Sequence, residues 1–494
     1  MRTWLTLTLA SLFASTSIAA QDVPTVATRI EGRAQQAIKV GGKRLAYTAE
    51  AGTYPVSSAP GRSDASAGYV AYVRKNAGAD RPVLFVFNGG PGAASAYLQM
   101  GAFGPMRAHV PQDPAAPLPA AAEVSANPAS LLDIADLVFL DPPGTGFSEI
   151  AKDADSAFYQ SVKGDADAVS QAARAWLAEN RRTGSPLFIL GESYGTIRAA
   201  AMVDALRAQD AKLNLRGVLL LGQALNMIET SQRPDNVVTY PVSLPTLAAL
   251  ACYHHKRPAP CDPDSSADKA TAFAPAYLDA LYKGRTLDEA ARGTIATKLA
   301  DLTGIPAAFY LAHDLRISKE RFRVELLRGE GKVLGRYDAR YTAPLPANAG
   351  EMVGPDAFSP VSDLYGKAVI GQLFAIGVAN AQRYKVISRF PGEWSYGAGD
   401  SPFNDWPFMA RLEAAMAAEP DLRLFVGTGL FDLTTTVGAA DYLFAQSNLT
   451  ADRFVNRRYP AGHVAYSDDA SWSKLVADVR AFVVAGSMIR GSKP

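Results

Sequence analysis

A serine in the sequence Gly-Glu-Ser-Tyr-Gly, residues 191–195, stands between an apolar run at 186–190 and a helical stretch at 194–209. Between a strand and a helix, this pattern is typical of a nucleophile elbow, whose glycines permit the tight turn that lifts the serine hydroxyl above a sheet. The start of the following helix adds free N–H groups and a positive dipole end. The pattern also occurs by chance as a simple turn, but its flanking elements make Ser193 the candidate nucleophile.

A serine nucleophile needs a base, and in folds with this elbow the order along the chain is serine, acid, histidine. The chain has five histidines: His109, His254, His255, His313 and His463. Only His463 follows the last strand of the sheet predicted below, and Gly462 gives its loop the freedom to reach back over the sheet. A lone histidine is more often structural, but its position and the elimination of the others make His463 the candidate base.

The acid of such a triad is expected directly after the strand predicted at 422–427. Asp432 fits this position, in the sequence Gly-Leu-Phe-Asp at 429–432. A carboxylate there would fix the tautomer of the histidine and stabilise its imidazolium. Asp441 is the alternative, but it lies well inside the helix that follows, so Asp432 is preferred.

A glycine-rich turn, Asn-Gly-Gly-Pro-Gly at 88–92, follows another predicted strand. Its unobstructed backbone N–H groups can stabilise the oxyanion of a tetrahedral intermediate, and in this fold the N–H after the nucleophile, that of Tyr194, is a second donor. A phosphate-binding loop is excluded, because the central proline removes a donor and no Gly-Lys-Ser/Thr follows.

The elements that must position these residues are short apolar runs separated by helical stretches. The runs lie at 82–88, 136–141, 186–191, 217–222 and 422–427. Runs of this kind are buried on both faces of a sheet, so they predict an α/β fold with a mostly parallel central sheet. Helical periodicity and proline-rich loops at 224–390 predict an inserted helical cap. The core is therefore expected at 21–223 and 391–494.

Bulk composition narrows the class of protein. The 494 residues include 49 Lys and Arg against 48 Asp and Glu, and a net charge of +1 gives no reason to expect nucleic acid or an anionic membrane as a partner. Residues 1–20 have the basic start, short apolar run and small-residue end of a secretory signal peptide, so we expect a secreted or periplasmic protein. No later stretch is long and apolar enough for a membrane span.

The chain contains only two cysteines, Cys252 and Cys261. In an oxidising compartment a local disulfide is the natural expectation for such a pair. The alternative is a metal site that also uses His254 and His255, but the spacing fits no zinc pattern. We therefore expect a disulfide, no metal and no cofactor.

Four motifs, in this order along the chain, resemble the serine carboxypeptidases, peptidase family S10. They are Asn-Gly-Gly-Pro-Gly at 88–92, Asp-Pro-Pro-Gly-Thr-Gly-Phe-Ser at 141–148, Gly-Glu-Ser-Tyr-Gly at 191–195 and Gly-His at 462–463. The resemblance runs over about 81–201 and resumes over about 422–466. It implies an α/β-hydrolase core with a helical cap, and exopeptidase activity on peptides with a free C-terminus.

The resemblance also implies roles for individual residues. Ser193, Asp432 and His463 would form the triad. The backbone N–H groups of Gly90 and Tyr194 would both bind the oxyanion. On the same substrate, Asn88 and Glu192 would bind the terminal carboxylate, for which Glu192 must be protonated because two carboxylates repel.

One departure concerns Ala102, which stands where the family usually has a glutamate that pairs with the glutamate of the elbow. Without that pair, an esterase or acyltransferase using the same triad is the alternative function, since a fold does not fix a substrate. No feature of the sequence indicates an oligomeric state.

Overall fold

The structure is a computed structural model that describes residues 27–210, 213–230, 233, 235–347, 349–350, 356–390, 392–397 and 408–488. The predicted signal peptide, residues 1–20, lies outside the described residues.

Nine strands form the central sheet of the described chain, and four shorter strands form two separate hairpins. The sheet contains β1 Arg29–Val40, β2 Lys43–Val56, β3 Ala65–Arg74, β4 Val83–Phe87, β7 Asp136–Asp141, β8 Leu187–Glu192, β9 Leu215–Leu221, β12 Arg423–Gly429 and β13 Phe454–Tyr459. The hairpins contain β5 Met106–His109 with β6 Glu123–Ala126, and β10 Lys332–Leu334 with β11 Thr342–Pro344.

The order of strands across the sheet is β1-β2-β3-β7-β4-β8-β9-β12-β13. The first three strands pair antiparallel with one another, and β3 also pairs antiparallel with β7. The six strands from β7 to β13 run parallel. Because the carboxyl ends of parallel strands lie at one edge, the turns after β4, β8 and β12 meet there, as ligand sites in open α/β sheets do.

In addition to six short 3₁₀ or π helices, the described chain contains fourteen α-helices. They are α1 Ala96–Leu98, α2 Ser156–Tyr159, α3 Val162–Glu179, α4 Tyr194–Gln209, α5 Met227–Thr230, α6 Thr239–Tyr253, α7 Pro263–Lys283, α8 Glu289–Thr303, α9 Ala307–Ala312, α10 Lys319–Glu325, α11 Ser359–Ala375, α12 Phe408–Ala418, α13 Val437–Ala445 and α14 Asp469–Met488. Helices α3, α4 and α12 cover one face of the sheet, and α11 and α14 cover the other. The central strands are therefore buried on both faces, which explains their continuous apolar runs.

Helices α6 to α10 form a separate apolar cluster over the carboxyl edge of the sheet. This cluster takes in Leu430, Phe431 and Leu433, which follow β12 in the core, so the helical insertion is packed directly onto the candidate acid loop. Helix α11 also lies within 224–390, but its apolar side chains pack into the core cluster with α14.

A nine-stranded, mostly parallel sheet covered by helices on both faces, with a helical insertion after β9, is an α/β-hydrolase fold. The predicted fold class is confirmed.

Candidate active site

Ser193 occupies a sharp turn between β8 and α4. Its backbone has φ +60° and ψ −128°, a conformation that costs a non-glycine residue on the order of 1–3 kcal/mol. A Cβ on Gly191 would lie 2.1 Å from the carbonyl oxygen of Gly195, and one on Gly195 would lie 2.9 Å from that of Asn88. Both glycines are therefore required sterically, and the turn presents the serine at the carboxyl edge of the sheet.

Asp432 and His463 form a buried pair. The His463 Nδ1 atom lies 2.6 Å from Oδ2 of Asp432, and the aspartate is fully buried. The aspartate also accepts hydrogen bonds from the backbone N–H groups of Thr434 and Thr435 and from the Thr435 hydroxyl, over 2.7, 3.0 and 2.5 Å. With Nδ1 bound to this carboxylate, His463 has Nε2 left for proton transfer.

Burial disfavours the imidazolium of His463, but the charge and hydrogen bond of Asp432 outweigh it, and the pKa of His463 is raised above 6.5. The alternative acid, Asp441, is bound elsewhere, to the Asn456 amide over 2.8 Å and to the Arg458 guanidinium. The geometry therefore brings Asp432, and not Asp441, to His463.

The loop that carries His463 is held by a segment of the cap region that sequence reasoning missed. The backbone N–H of His463 donates to the carbonyl of Tyr337 over 2.6 Å. The N–H of Gly462 donates to Oδ2 of Asp338 over 3.2 Å. Arg340 binds the same Asp338 carboxylate over 2.7 Å and reaches the Pro460 carbonyl over 3.2 Å. No sequence motif marks these residues, because they act through a loop more than 100 positions away.

Ser193 lies between two cavities. The first, of about 240 Å³, is lined by Ser193, Gly90, Asn88, Glu192 and His463, together with other residues. Ser193 and His463 both line this cavity, without a hydrogen bond between their side chains in the described part of the chain. The second cavity, of about 160 Å³, shares Ser193 and Gly90 with the first and is otherwise lined by different residues, among them Thr434, Thr435 and Ala439.

The glycine-rich turn after β4 packs directly against the elbow. A Cβ on Gly89 would lie 2.6 Å from the backbone nitrogen of Tyr194 and 2.6 Å from the carbonyl oxygen of Glu192. Gly90 has a φ of +103°, which suits glycine, and borders both cavities beside Ser193. The two predicted oxyanion residues, Gly90 and Tyr194, thus flank the candidate nucleophile.

Glu192 and Asn88 meet in the first cavity, where Nδ2 of Asn88 donates to Oε1 of Glu192 over 2.9 Å. The second carboxyl oxygen, Oε2, is buried and makes no hydrogen bond within the described chain. Burial raises the pKa of Glu192 to about 7, against the opposing effects of the nearby His463 and of the Tyr466 and Asn88 side chains. Glu192 is therefore a carboxyl group that carries its proton in mildly acidic solution.

A buried ion pair contacts both Asn88 and Tyr194, and the sequence analysis did not predict it. The Arg198 Nε atom donates to Oδ2 of Asp165 over 2.7 Å, and both side chains are inaccessible to solvent. A second nitrogen of Arg198 donates to the carbonyl of Asn88 over 2.6 Å, and the Tyr194 hydroxyl donates to Asp165 over 3.0 Å. The sequence did contain one signal for this ion pair, which is the arginine, Arg198, in the helix that follows the elbow.

The remaining histidines that make hydrogen bonds do so away from this site. His109 bonds the Ser125 hydroxyl, while His254 and His313 bond the carbonyls of Ala339 and Phe309. Cys252 and Cys261 are joined in a disulfide. Within the described ranges, no three His, Cys, Asp or Glu side chains are grouped as metal ligands would be.

An elbow serine, a buried Asp–His pair and a glycine-rich turn at one edge of the sheet define a serine hydrolase of the α/β-hydrolase fold. Within that class, residues 48–242 match the sequence model of the serine carboxypeptidases, peptidase family S10. The predicted relationship to this family is confirmed over that part of the chain. No curated protein matches the sequence.

Many solved structures are similar in fold. They include VinJ, at 13% identity and a TM-score of 0.38, covering 88% of this chain and 98% of that one. A proline iminopeptidase from Mycobacterium smegmatis has 14% identity and a TM-score of 0.37, and the match covers 92% of this chain and 99% of that one. A juvenile hormone epoxide hydrolase from the silkworm Bombyx mori has 12% identity and a TM-score of 0.37, and the match covers 90% of this chain and 80% of that one. Such distant likenesses carry no information about the substrate.

Proposed function

We propose that this chain is a secreted serine carboxypeptidase that removes the C-terminal residue of peptides through Ser193, His463 and Asp432. The observation that carries the proposal is the position of Glu192. Its buried carboxyl group lies in the same cavity as His463 and has one oxygen without a hydrogen bond. A protonated carboxyl there can donate to the terminal carboxylate of a peptide, with the Asn88 amide as its neighbour.

The reaction then has two halves. His463 takes the proton of Ser193 as Oγ attacks the last peptide carbonyl, and the N–H groups of Gly90 and Tyr194 stabilise the oxyanion. His463 next protonates the leaving amine, which departs as the C-terminal amino acid and leaves an acyl-enzyme on Ser193. Water activated by His463 hydrolyses the acyl-enzyme and restores the serine.

Export is supported by two observations. The signal-peptide pattern at residues 1–20 is a sequence feature, and the Cys252–Cys261 disulfide suits an oxidising compartment. Among the described residues, no helix is long and apolar enough to cross a membrane.

An esterase or acyltransferase is the second candidate, and one observation favours it. Among the described residues that line the first cavity, none is a lysine or arginine that could bind a carboxylate by charge. The acidic side chains of Glu192 and Asp363 are there instead. A neutral acyl acceptor would suit such a cavity at alkaline pH.

The deciding experiment compares N-blocked dipeptides with the corresponding methyl esters across acid and neutral pH. A carboxypeptidase releases the free C-terminal amino acid from the dipeptides, and amidation of the C-terminus raises KM. Peptides left intact while esters turn over would exclude the peptidase. Ser193→Ala is the control, and should lower kcat on the order of 10⁶-fold and abolish fluorophosphonate labelling.

A further inference from the structure

Thr435, three residues after the candidate acid, contacts both members of the buried Asp–His pair. Its hydroxyl oxygen lies 2.5 Å from Oδ2 of Asp432 and 3.2 Å from Nδ1 of His463. Its backbone N–H donates to the other carboxyl oxygen, Oδ1, over 3.0 Å. Oδ2, Nδ1 and the Thr435 hydroxyl oxygen therefore form a triangle in which each atom is within hydrogen-bonding distance of the other two.

The hydrogens in this triangle can be counted. An ionised aspartate only accepts hydrogen bonds, and a threonine hydroxyl has one hydrogen to donate. The Thr435 hydroxyl donates that hydrogen to Oδ2 of Asp432 over the shorter distance, so toward His463 its oxygen can only accept. Nδ1 of His463 then carries a hydrogen, which has Oδ2 as its main acceptor and the Thr435 oxygen as a second, longer one.

This arrangement opposes the unreactive tautomer of His463. If the hydrogen moved to Nε2, the lone pair of Nδ1 would face two oxygen atoms. Rotation of the Thr435 hydroxyl toward Nδ1 would relieve that contact, but it would take a hydrogen bond from the buried Asp432 carboxylate, and bonds to charged groups are the stronger ones. The tautomer with a free Nε2, which a general base needs, is therefore favoured.

The end of β9 leaves room for the contact between the hydroxyl and the imidazole. Gly222 has a φ of +55°, and a Cβ on it would lie 2.8 Å from the Thr435 hydroxyl oxygen and 2.9 Å from Cε1 of His463. A larger residue there would displace one of the two side chains. Three segments distant in the sequence thus meet at this hydroxyl: the end of β9, the turn after β12 and the loop that carries His463.

Thr435 also lines the second cavity, to which the fully buried Asp432 does not extend. The side chain could therefore contact a substrate or support the Asp–His pair. The hydrogen bond to Oδ2 favours support of the pair, because a hydroxyl that gives its single hydrogen to Asp432 has none to give to a substrate.

We propose that Thr435 is a positioning residue of the triad, whose hydroxyl holds His463 in the reactive tautomer and takes part of the charge of the Asp432 oxygen that the imidazole binds. The inference rests on the assignment of the triad in the proposed function, and not on the choice between a peptide and an ester. Without the hydroxyl, Oδ2 keeps more of its charge and holds the imidazolium more strongly, so His463 loses its proton at a higher pH.

Several other groups face the Asp–His pair, and substitution of the threonine leaves them in place. Burial lowers the pKa of His463, and Asp432 raises it. The other groups that act on the pair by charge or by ring contact are Glu192, Asp356, Lys319 and Tyr337. A difference in pH dependence between variants at position 435 therefore reports the hydroxyl.

The test compares Thr435→Val, which keeps the shape and removes the hydroxyl, with Thr435→Ser, which keeps the hydroxyl. Thr435→Val should lower kcat about 10- to 100-fold, as expected for a lost hydrogen bond to a charged group. KM should change little, and the low-pH limb of the kcat profile should move to higher pH. Thr435→Ser should stay within a few-fold of wild type in kcat, with its low-pH limb unmoved.

Thr436→Val is the matched control, because that hydroxyl belongs to the same turn but donates to the carbonyl of Val242 over 3.0 Å. Its low-pH limb should coincide with that of wild type. Urea denaturation shows whether each variant is folded, and Thr435→Ala replaces Thr435→Val if valine prevents folding.

Two results would overturn the inference. One is a Thr435→Val variant with the low-pH limb of wild type, which would mean that the hydroxyl has only a structural role. The other is a loss of kcat/KM that differs between substrates with Gly and with Leu on the acyl side, which would mean that the side chain contacts the substrate.

Each variant is measured on N-blocked Gly-Ala and Leu-Ala dipeptides and on the N-blocked Gly and Leu methyl esters. If only the esters are hydrolysed, the carboxypeptidase proposal fails, and the role of Thr435 is still decided from the esters. The rate of fluorophosphonate labelling across pH gives the same comparison without a substrate. If peptides are hydrolysed and Thr435→Val matches wild type, the function stands and the inference about Thr435 fails.

Discussion

The Nδ1 atom of His463 lies 2.6 Å from Oδ2 of Asp432, while Asp441, the other aspartate considered for this role, binds Asn456 and Arg458. This difference leads to a paired prediction. Asp432→Asn should lower kcat about 10⁴-fold, because an amide favours the wrong tautomer of the histidine. Asp441→Asn should leave kcat within a few-fold of wild type, and steady-state kinetics on one substrate measures both. A large loss in the second variant alone would show that the acid is misassigned.

The second prediction concerns pH. The pKa of Glu192 is raised to about 7, so the protonated form that can bind a carboxylate is present below that pH and is lost as the pH rises through it. KM for peptides with a free C-terminus should therefore rise above about pH 7. Substrates without a terminal carboxylate should show no such rise.

In Glu192→Gln the side chain donates at every pH, so the alkaline rise in KM should disappear. A wild-type KM for free-acid peptides that stays constant through neutral pH would contradict the role given to Glu192. On the acid side, the raised pKa of His463 means that the free base is lost at a higher pH than for an ordinary imidazole.

Tyr466 offers a third prediction. Its hydroxyl lies close to the Glu192 carboxyl and lowers the pKa of that group. Tyr466→Phe should therefore raise the pKa of Glu192 and move the alkaline rise in KM to higher pH, with kcat little changed. Tyr365→Phe is the control, because the centroids of the Tyr365 and Tyr466 rings lie 5.8 Å apart and the Tyr365 hydroxyl is also buried. Equal shifts in the two variants would indicate a general packing effect.

The buried pair of Arg198 and Asp165 leads to a prediction about stability. Asp165→Ala would leave the Arg198 guanidinium buried without its counter-charge, which should cost about 3–5 kcal/mol of unfolding free energy. On the same helix, Asp167 pairs with the exposed Lys163, and Asp167→Ala should cost less than about 1 kcal/mol. Urea denaturation compares the two. Equal losses would mean that the buried pair has no special role.

The sequence predicted the parts of the fold that depend on local pattern. The apolar runs that became β4, β7, β8, β9 and β12 are identifiable because each is buried on both faces. Strand β13, Phe454–Tyr459, was not predicted, since as the last strand of the sheet it contains Asn456, Arg457 and Arg458 and has no apolar run. The β5–β6 hairpin was missed for a similar reason, because β6 is largely exposed.

The candidate site likewise contains residues that the sequence could predict and residues that it could not. Ser193, Asp432 and His463 could be found because chain order and position relative to strands restrict them. Asp165 and Asp338 could not, since each acts through a contact with a residue far away in the chain, and no spacing rule describes such contacts. The role of Asp338 depends on how the insertion packs against the core, and that of Asp165 depends on how α3 packs against α4.

The attachment of Gly462 and His463 to Tyr337 and Asp338 has a consequence for when the protein becomes active. Ser193 and its oxyanion turn are synthesised early in the chain, whereas the base comes late and rests on a segment of the insertion. A chain whose insertion is unfolded holds a nucleophile without a positioned base. Hydrolytic competence therefore requires a folded insertion as well as a folded sheet, although the insertion contributes none of the three triad side chains.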